Sequence, residues 1–174
     1  MDRFQAETLA ALPRRLIEVP RHWATETPDA PAVWFQDRLW THADILAGIE
    51  AARAVLVDAG VRAGDRVALV IENGVAGLCY FQAIAALDGW AVLANARLSR
   101  RELDVIFEDS GARFAVFGTG ESEAAAKHAD GREVTRVTGR HHADIALCGL
   151  NDAAPAEPVF ADPADQIAAM IFTS

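Results

Sequence analysis

At 174 residues the chain fits one domain, or one and a piece, and its 52% hydrophobic and 24% charged residues describe a globular protein, which excludes a disordered one. A net charge of −9 excludes a general binder of nucleic-acid backbone, because nothing offsets the like-charge repulsion. A small anion held by local dipoles stays possible.

Residues 1–27 read as helix in two pieces broken at Pro20, with Trp23 on a buried face. Thr27-Pro28-Asp29-Ala30-Pro31 stops the helix and turns the chain. Residues 32–35 and 39–41 are short strands about Gln36-Asp37-Arg38, the spacing of a hairpin. Thr41-His42-Ala43-Asp44 resembles a capping box with Asp in place of Glu. Behind it Ile45, Ile49, Ala52 and Leu56 share one helical face, and Gly60 sits where a C-terminal glycine belongs.

A regular rhythm begins here. Residues 66–71 form a β-branched apolar strand, and 75–88 a mostly apolar helix closed by Gly89, which calls for burial between the sheet and another layer. Residues 90–94 are the next strand. Ser99-Arg100-Arg101-Glu102 is a full capping box, opening a helix with Leu103, Ile106 and Phe107 inward and Gly111 after its end. Residues 114–117 are a further strand, followed by a weak helix near 121–129 and a weak strand near 134–137. Residues 138–162 are the least regular part. Asp162-Pro163 then opens one helical turn over 163–166, feeding a strand at 167–173. The unbroken apolar run 168–172 has the look of a strand buried on both faces. This alternation gives an α/β class: a doubly wound, largely parallel sheet with a small N-terminal hairpin. The chain divides into a helical N-terminal segment (1–31), an α/β core (32–137), an irregular excursion (138–162) and a final strand with its polar end (163–174).

Few residues announce chemistry. Cys79 and Cys148 supply neither a disulfide framework nor zinc-ligand spacing, so a reducing cytoplasm is the expected compartment. Residues 1–20 scatter Asp, Arg and Glu among apolar residues, unlike a signal peptide, and the longest uncharged stretch, 73–87, is too short to span a bilayer. Gly118-Thr119-Gly120 lacks the third glycine of a dinucleotide fingerprint and reads as an ordinary turn. His141-His142 reads as a solvated loop with no third metal ligand in place, and no catalytic residue or metal site is assigned. Two places stand at the C-terminal ends of strands, where open α/β sheets bind ligands. One is Thr173-Ser174. The other is Asn95-Ala96-Arg97, where Arg97 reads either as a forked contact to a phosphate or carboxylate or as a surface Arg beside Arg100 and Arg101.

Taken in order, Thr27-Pro28-Asp29-Ala30-Pro31-Ala32-Val33, Trp40-Thr41, residues 60–68 (GVRAGDRVA), Glu72-Asn73, Asn95-Ala96-Arg97-Leu98-Ser99 with Glu102-Leu103, Asp109-Ser110-Gly111-Ala112 and Phe172-Thr173-Ser174 resemble the N-terminal part of the AMP-forming acyl-adenylate enzymes. These are acyl-CoA synthetases, adenylation domains of peptide synthetases, and luciferases. The resemblance covers about residues 20–120 and 162–174. It implies that Thr173 and Ser174 open a glycine-rich loop around the phosphates of ATP, that Arg97 faces CoA, and that Mg2+ accompanies the nucleotide. It also implies a two-step ligase reaction on a carboxylic acid, of which this stretch supplies scaffold and, alone, no activity. Where relatives commonly carry Pro in the loop after the strand, this chain has Ala94 and Ala96. A peptide-synthetase adenylation piece and a non-catalytic binding or interaction protein stay open as alternatives. So does self-association through apolar surface on the sheet and on helix 75–88.

Overall fold

A computed structural model describes residues 12–172, so the expected site residues Thr173 and Ser174 and the first eleven residues lie outside the described part. Helix α1 (Glu18–Glu26) runs through Pro20 instead of breaking there. Proline in the first turn lacks only an N–H that a helix start leaves unbonded anyway. Trp23 is 45% exposed, against expectation, because α1 packs on the start of the next helix and not on the sheet; its ring stacks on His42 with centroids 5.9 Å apart.

Strands β1 (Pro31–Phe35) and β2 (Arg38–Thr41) form the expected antiparallel hairpin, with Gln36 turning at φ 52°. Thr41 caps α2 (His42–Asp58). Its hydroxyl accepts from Asp44 N at 3.2 Å and the Asp44 carboxylate accepts from Thr41 N at 3.1 Å, so Asp does serve in the box. The later elements are β3 (Arg66–Ile71), α3 (Val75–Ala86), β4 (Trp90–Asn95), α4 (Arg100–Ser110), β5 (Phe114–Phe117), α5 (Glu123–Ala129), β6 (Thr135–Val137), β7 (Ile145–Gly149), a 3-10 turn (Pro163–Asp165) and β8 (Ala169–Ile171). The second capping box holds at α4, and Gly111 ends that helix in the left-handed region. At the end of α3 the left-handed position falls on Asp88, φ 56°, and not on Gly89. Gly89 is needed for room: a Cβ there would lie 3.1 Å from the Asp65 carbonyl oxygen.

The six-stranded sheet has the order β6-β7-β5-β3-β4-β8. β5, β3, β4 and β8 run parallel, while β7 returns antiparallel beside β5 and pairs with β6. β7 is the element that sequence reading did not find within 138–162. Of its five residues, Ile145, Ala146, Leu147 and Cys148 are buried, on alternating faces, but the run is too short and too poor in β-branched residues to stand out. β8 is not buried on both faces. Among the described residues it pairs with β4 alone, and Ile171 is 71% exposed, because it forms the edge of the sheet.

Two cores arise from the period of two. Val67 and Leu69 of β3 point into one, with α2 and α3; Ala68 and Val70 point into the other, with α4 and α5. α3 lies between the sheet and α2 with Val75, Cys79, Tyr80 and Ala83 buried, so the cover its apolar sequence asks for comes from within this chain. Its Cys79 is core, as read from the sequence: burial first, and the nearby Glu121 charge second, push the thiol up to about 12, which leaves no nucleophile.

The N-terminal edge of the sheet is locked by charge. Asp65, 1% exposed, accepts from Arg62 N at 2.9 Å and from the Arg113 guanidinium at 2.8 Å, while its own carbonyl accepts from Trp90 N at 2.9 Å. Removing the carboxylate leaves the Arg113 side chain, itself only 16% exposed, without its counter-charge. Asp65→Ala should therefore cost about 3 kcal/mol of stability, read as a lower urea midpoint at unchanged slope.

Candidate functional site

A concavity among the described residues lies where the topology puts it. From β3 the chain turns to α3 on one face of the sheet; from the adjacent β4 it turns to α4 on the opposite face. Loops that part in opposite directions leave a crevice between the two strand ends, which is where open α/β sheets take ligands. Here that crevice has a volume of about 430 Å³ and is lined by Glu72 and Asn73 after β3 and by Ala94, Asn95 and Arg97 at the end of β4.

Arg97 is placed by its loop. The parallel register sets Ile71 opposite Asn95, and Ala96 N extends the ladder to the Ile71 carbonyl at 3.3 Å. Proline at 96 could not make that bond, so this chain holds the loop by a backbone donor. Asn95 Oδ1 accepts from Arg97 N at 2.9 Å, turning the chain sharply. The guanidinium, 79% exposed, then donates from Nε to Glu72 Oε1 at 2.6 Å. Arg97 is thus a solvated cation that lines the crevice and pairs with Glu72. The Ser122 hydroxyl first, and Arg97 second, hold the Glu72 carboxyl below the usual carboxylate range.

Glu121 is the residue that sequence reading passed over. It stands on the Gly118-Thr119-Gly120 turn, which is the ordinary βα turn expected of it. Its carboxylate accepts from Val75 N at 2.9 Å and from Ala76 N at 3.1 Å, filling the positive end of α3. Gly74 makes the approach possible, since any Cβ there would collide with the Glu121 carboxylate. Burial outweighs these two donors and raises the Glu121 pKa above its ordinary 4.5. A glycine three residues into the loop after β3, facing another glycine-rich turn, was the available signal.

His142 is buried and not solvated, packed edge-on against Tyr80 with centroids 5.1 Å apart and its Nδ1 2.7 Å from the Ala143 carbonyl. Among the described residues no three His, Cys, Asp or Glu side chains converge. Beside the crevice, Leu93, Leu98, Val105, Ile106, Ile171 and Phe172 line an apolar groove along β4 and β8. No helix among the described residues is long and apolar enough to cross a membrane.

The sequence profile of the AMP-binding enzyme family matches residues 20–174. The chain belongs to the AMP-binding enzyme family. It is 32% identical over 135 residues to the long-chain-fatty-acid–CoA ligase FadD13 of Mycobacterium tuberculosis, covering 77% of this chain and 27% of that protein. The inhibitor-bound crystal structure of the N-terminal domain of FACL13 from Mycobacterium tuberculosis superposes with a TM-score of 0.60 at 30% identity, over 68% of this chain and 30% of that one. The O-succinylbenzoate coenzyme A synthetase MenE of Bacillus subtilis, solved with ATP and magnesium ion, gives 0.52 at 30% identity, over 55% and 26%. The chain therefore spans 27% of the curated relative's length and corresponds to the N-terminal region of this AMP-binding family.

Glu72 at the crevice and Glu121 at the start of α3 should titrate apart. Glu121 binds its proton more tightly in the folded chain than when unfolded, so its ionisation removes stability as pH rises through its raised value. Glu72 does the reverse: its stabilisation is present above the unfolded value and lost as pH falls through the lowered one. Carboxyl-carbon NMR should place the two midpoints on opposite sides of 4.5, and Glu121→Gln should abolish the loss of stability on the alkaline side of that range.

Proposed function

We propose that these residues are the N-terminal part of an AMP-forming acid–thiol ligase. A carboxylate oxygen attacks the α-phosphorus of Mg·ATP and the bond to pyrophosphate breaks, leaving an acyl-adenylate. The sulfur of CoA then attacks the acyl carbon and AMP departs. Adenylation replaces a poor leaving oxygen by a good one, and the protein contributes positioning and charge stabilisation. Thr173 and Ser174 begin the phosphate-binding loop, and Arg97 takes a phosphate of CoA. Fatty acids are the first acids to offer, given the activity named for FadD13.

The observation that carries this reading is the register of β8 on β4. Ala91 faces Ala169, Val92 faces Met170 and Leu93 faces Ile171, all parallel. Phe172 thereby lies toward the same end of the sheet as Asn95, Arg97 and Glu72.

A protein that contains these residues and the loop after them should catalyse ATP–pyrophosphate exchange with one or more of a panel of carboxylic acids. Thr173→Ala should lower that exchange by roughly 10²–10³, the scale of one lost donor at a developing charge. Arg97→Ala should leave exchange intact and raise the KM for CoA. A polypeptide of these 174 residues alone should show no exchange above a heat-killed control, since two hydroxyls and their backbone donors do not make a converging loop. Exchange by that polypeptide, abolished by Thr173→Ala, would overturn the assignment of roles. Exposed Ile171 and the groove beside it also fit self-association of the 174-residue polypeptide. Sedimentation should show species larger than a monomer that diminish in Ile171→Lys.

A further inference from the structure

The loop bearing Arg97 is fastened by a helix that does not itself line the crevice. His128, half-buried in the last turn of α5, has its Nε2 2.9 Å from the Leu98 carbonyl oxygen and 3.1 Å from that of Ala96. A carbonyl only accepts, so Nε2 carries the hydrogen and shares it between the two oxygens on either side of Arg97. The same short helix reaches the site again at its other end. Ser122 caps it, accepting from Ala125 N at 3.1 Å, and the Ser122 hydroxyl also meets Glu72, the partner of the Arg97 guanidinium. Ala125 and Ala129 pack the helix against the sheet.

We infer that His128 is a positioning residue for Arg97. By bonding both flanking carbonyls it fixes the plane of the loop, and with it the direction in which the guanidinium leaves the backbone. Without that donor, the backbone of residues 96–98 keeps the two bonds of the Asn95 turn and the single bond from Ala96 N to Ile71 O, and the guanidinium keeps its ion pair with Glu72. The guanidinium would then be held by Glu72 alone while its backbone shifts, and a long exposed side chain loses contact quality through such misplacement. The kinetic half of the inference rests on the reading of Arg97 as a contact to CoA; the geometric half stands on the two carbonyl bonds.

Two variants test it. Gln places its amide nitrogen as many bonds from Cα as Nε2 and carries two hydrogens, whereas Leu fills the space and donates nothing. In NMR spectra of this chain, His128→Leu should shift and broaden the backbone amides of Arg97 and Leu98 and the Arg97 Nε–H, leaving β5 and β7 unmoved. His128→Gln should restore them. In the catalytically active protein containing these residues, His128→Leu should raise the KM for CoA about tenfold, the scale of one hydrogen bond. ATP–pyrophosphate exchange should stay within about twofold, and His128→Gln should recover most of the loss. Arg97 signals that do not move in His128→Leu would overturn the inference. So would a Gln variant as defective as the Leu one, or a loss of exchange in step with the rise in KM. Should Arg97→Ala leave the KM for CoA unchanged while His128→Leu still displaces the Arg97 signals, the CoA role of Arg97 falls and the positioning role of His128 stands.

Discussion

The pairing of β3 with β4 is the constraint on which the crevice depends. The two strands run parallel and in step from Arg66 opposite Trp90 to Ile71 opposite Asn95, so they end together. The backbone leaving each strand must then go somewhere, and the helices decide where. α3 is apolar on most of its circumference and needs two layers, which the sheet and α2 provide; α4, with Leu103 and Phe107 on one stripe, needs only one. With one helix on each face, the loops diverge and a gap opens between strand ends that sit side by side. Glu72 meets Arg97 because each lies just past a strand end in that shared register, not because any local signal joins them.

Charge at the site is local and largely internal. The chain carries −9 overall, yet the crevice sets one carboxylate against one guanidinium, and the positive end of α3 is already taken by Glu121. A helix N-terminus offers an anion of order 1 kcal/mol near the surface. Glu121 gains that and two hydrogen bonds, and its raised pKa says that burial outweighs them. An outside phosphate therefore cannot use α3. Under the function proposed above, a phosphate at this edge falls to Arg97 and to the loop that Thr173 and Ser174 begin.

Features written in consecutive residues were legible. Both capping boxes, the hairpin, the glycine past α2, the parallel strands of the centre and the 3-10 turn at Pro163 could be read because each is fixed by neighbours three or four positions away. Pairings across the fold were not. β7 gains its burial from β5 and β6, which sequence order does not announce. Trp23 looked like a core residue because its size suits burial, but α1 sits at the rim. Arg97 was legible as a candidate, whereas its partners Glu72 and His128 come from segments 25 and about 30 residues away. The expected Thr173-Ser174 pair lies beyond the described residues.

That strand raises a question of register. β8 has three pairs on β4, and its apolar run offers Met170 to one face and Ile171 to the other. A slip of one residue would exchange them, at little hydrophobic cost, since the two side chains are of similar size and apolarity. Hydrophobic pattern alone therefore does not set where the chain emerges. The turn before it does. Asp162 caps that turn by accepting from Ala164 N at 3.0 Å. Gln166 then reaches both ways, its Oε1 accepting from Phe160 N at 3.0 Å and its Nε2 donating to the Asp88 carbonyl at 3.3 Å. Asp88 is the left-handed residue that ends α3 and leads into β4, so the turn is tied to the start of the very strand that β8 must match. A polar tether at one edge of the sheet thus fixes the address of Phe172 at the other, beside the loop of Arg97.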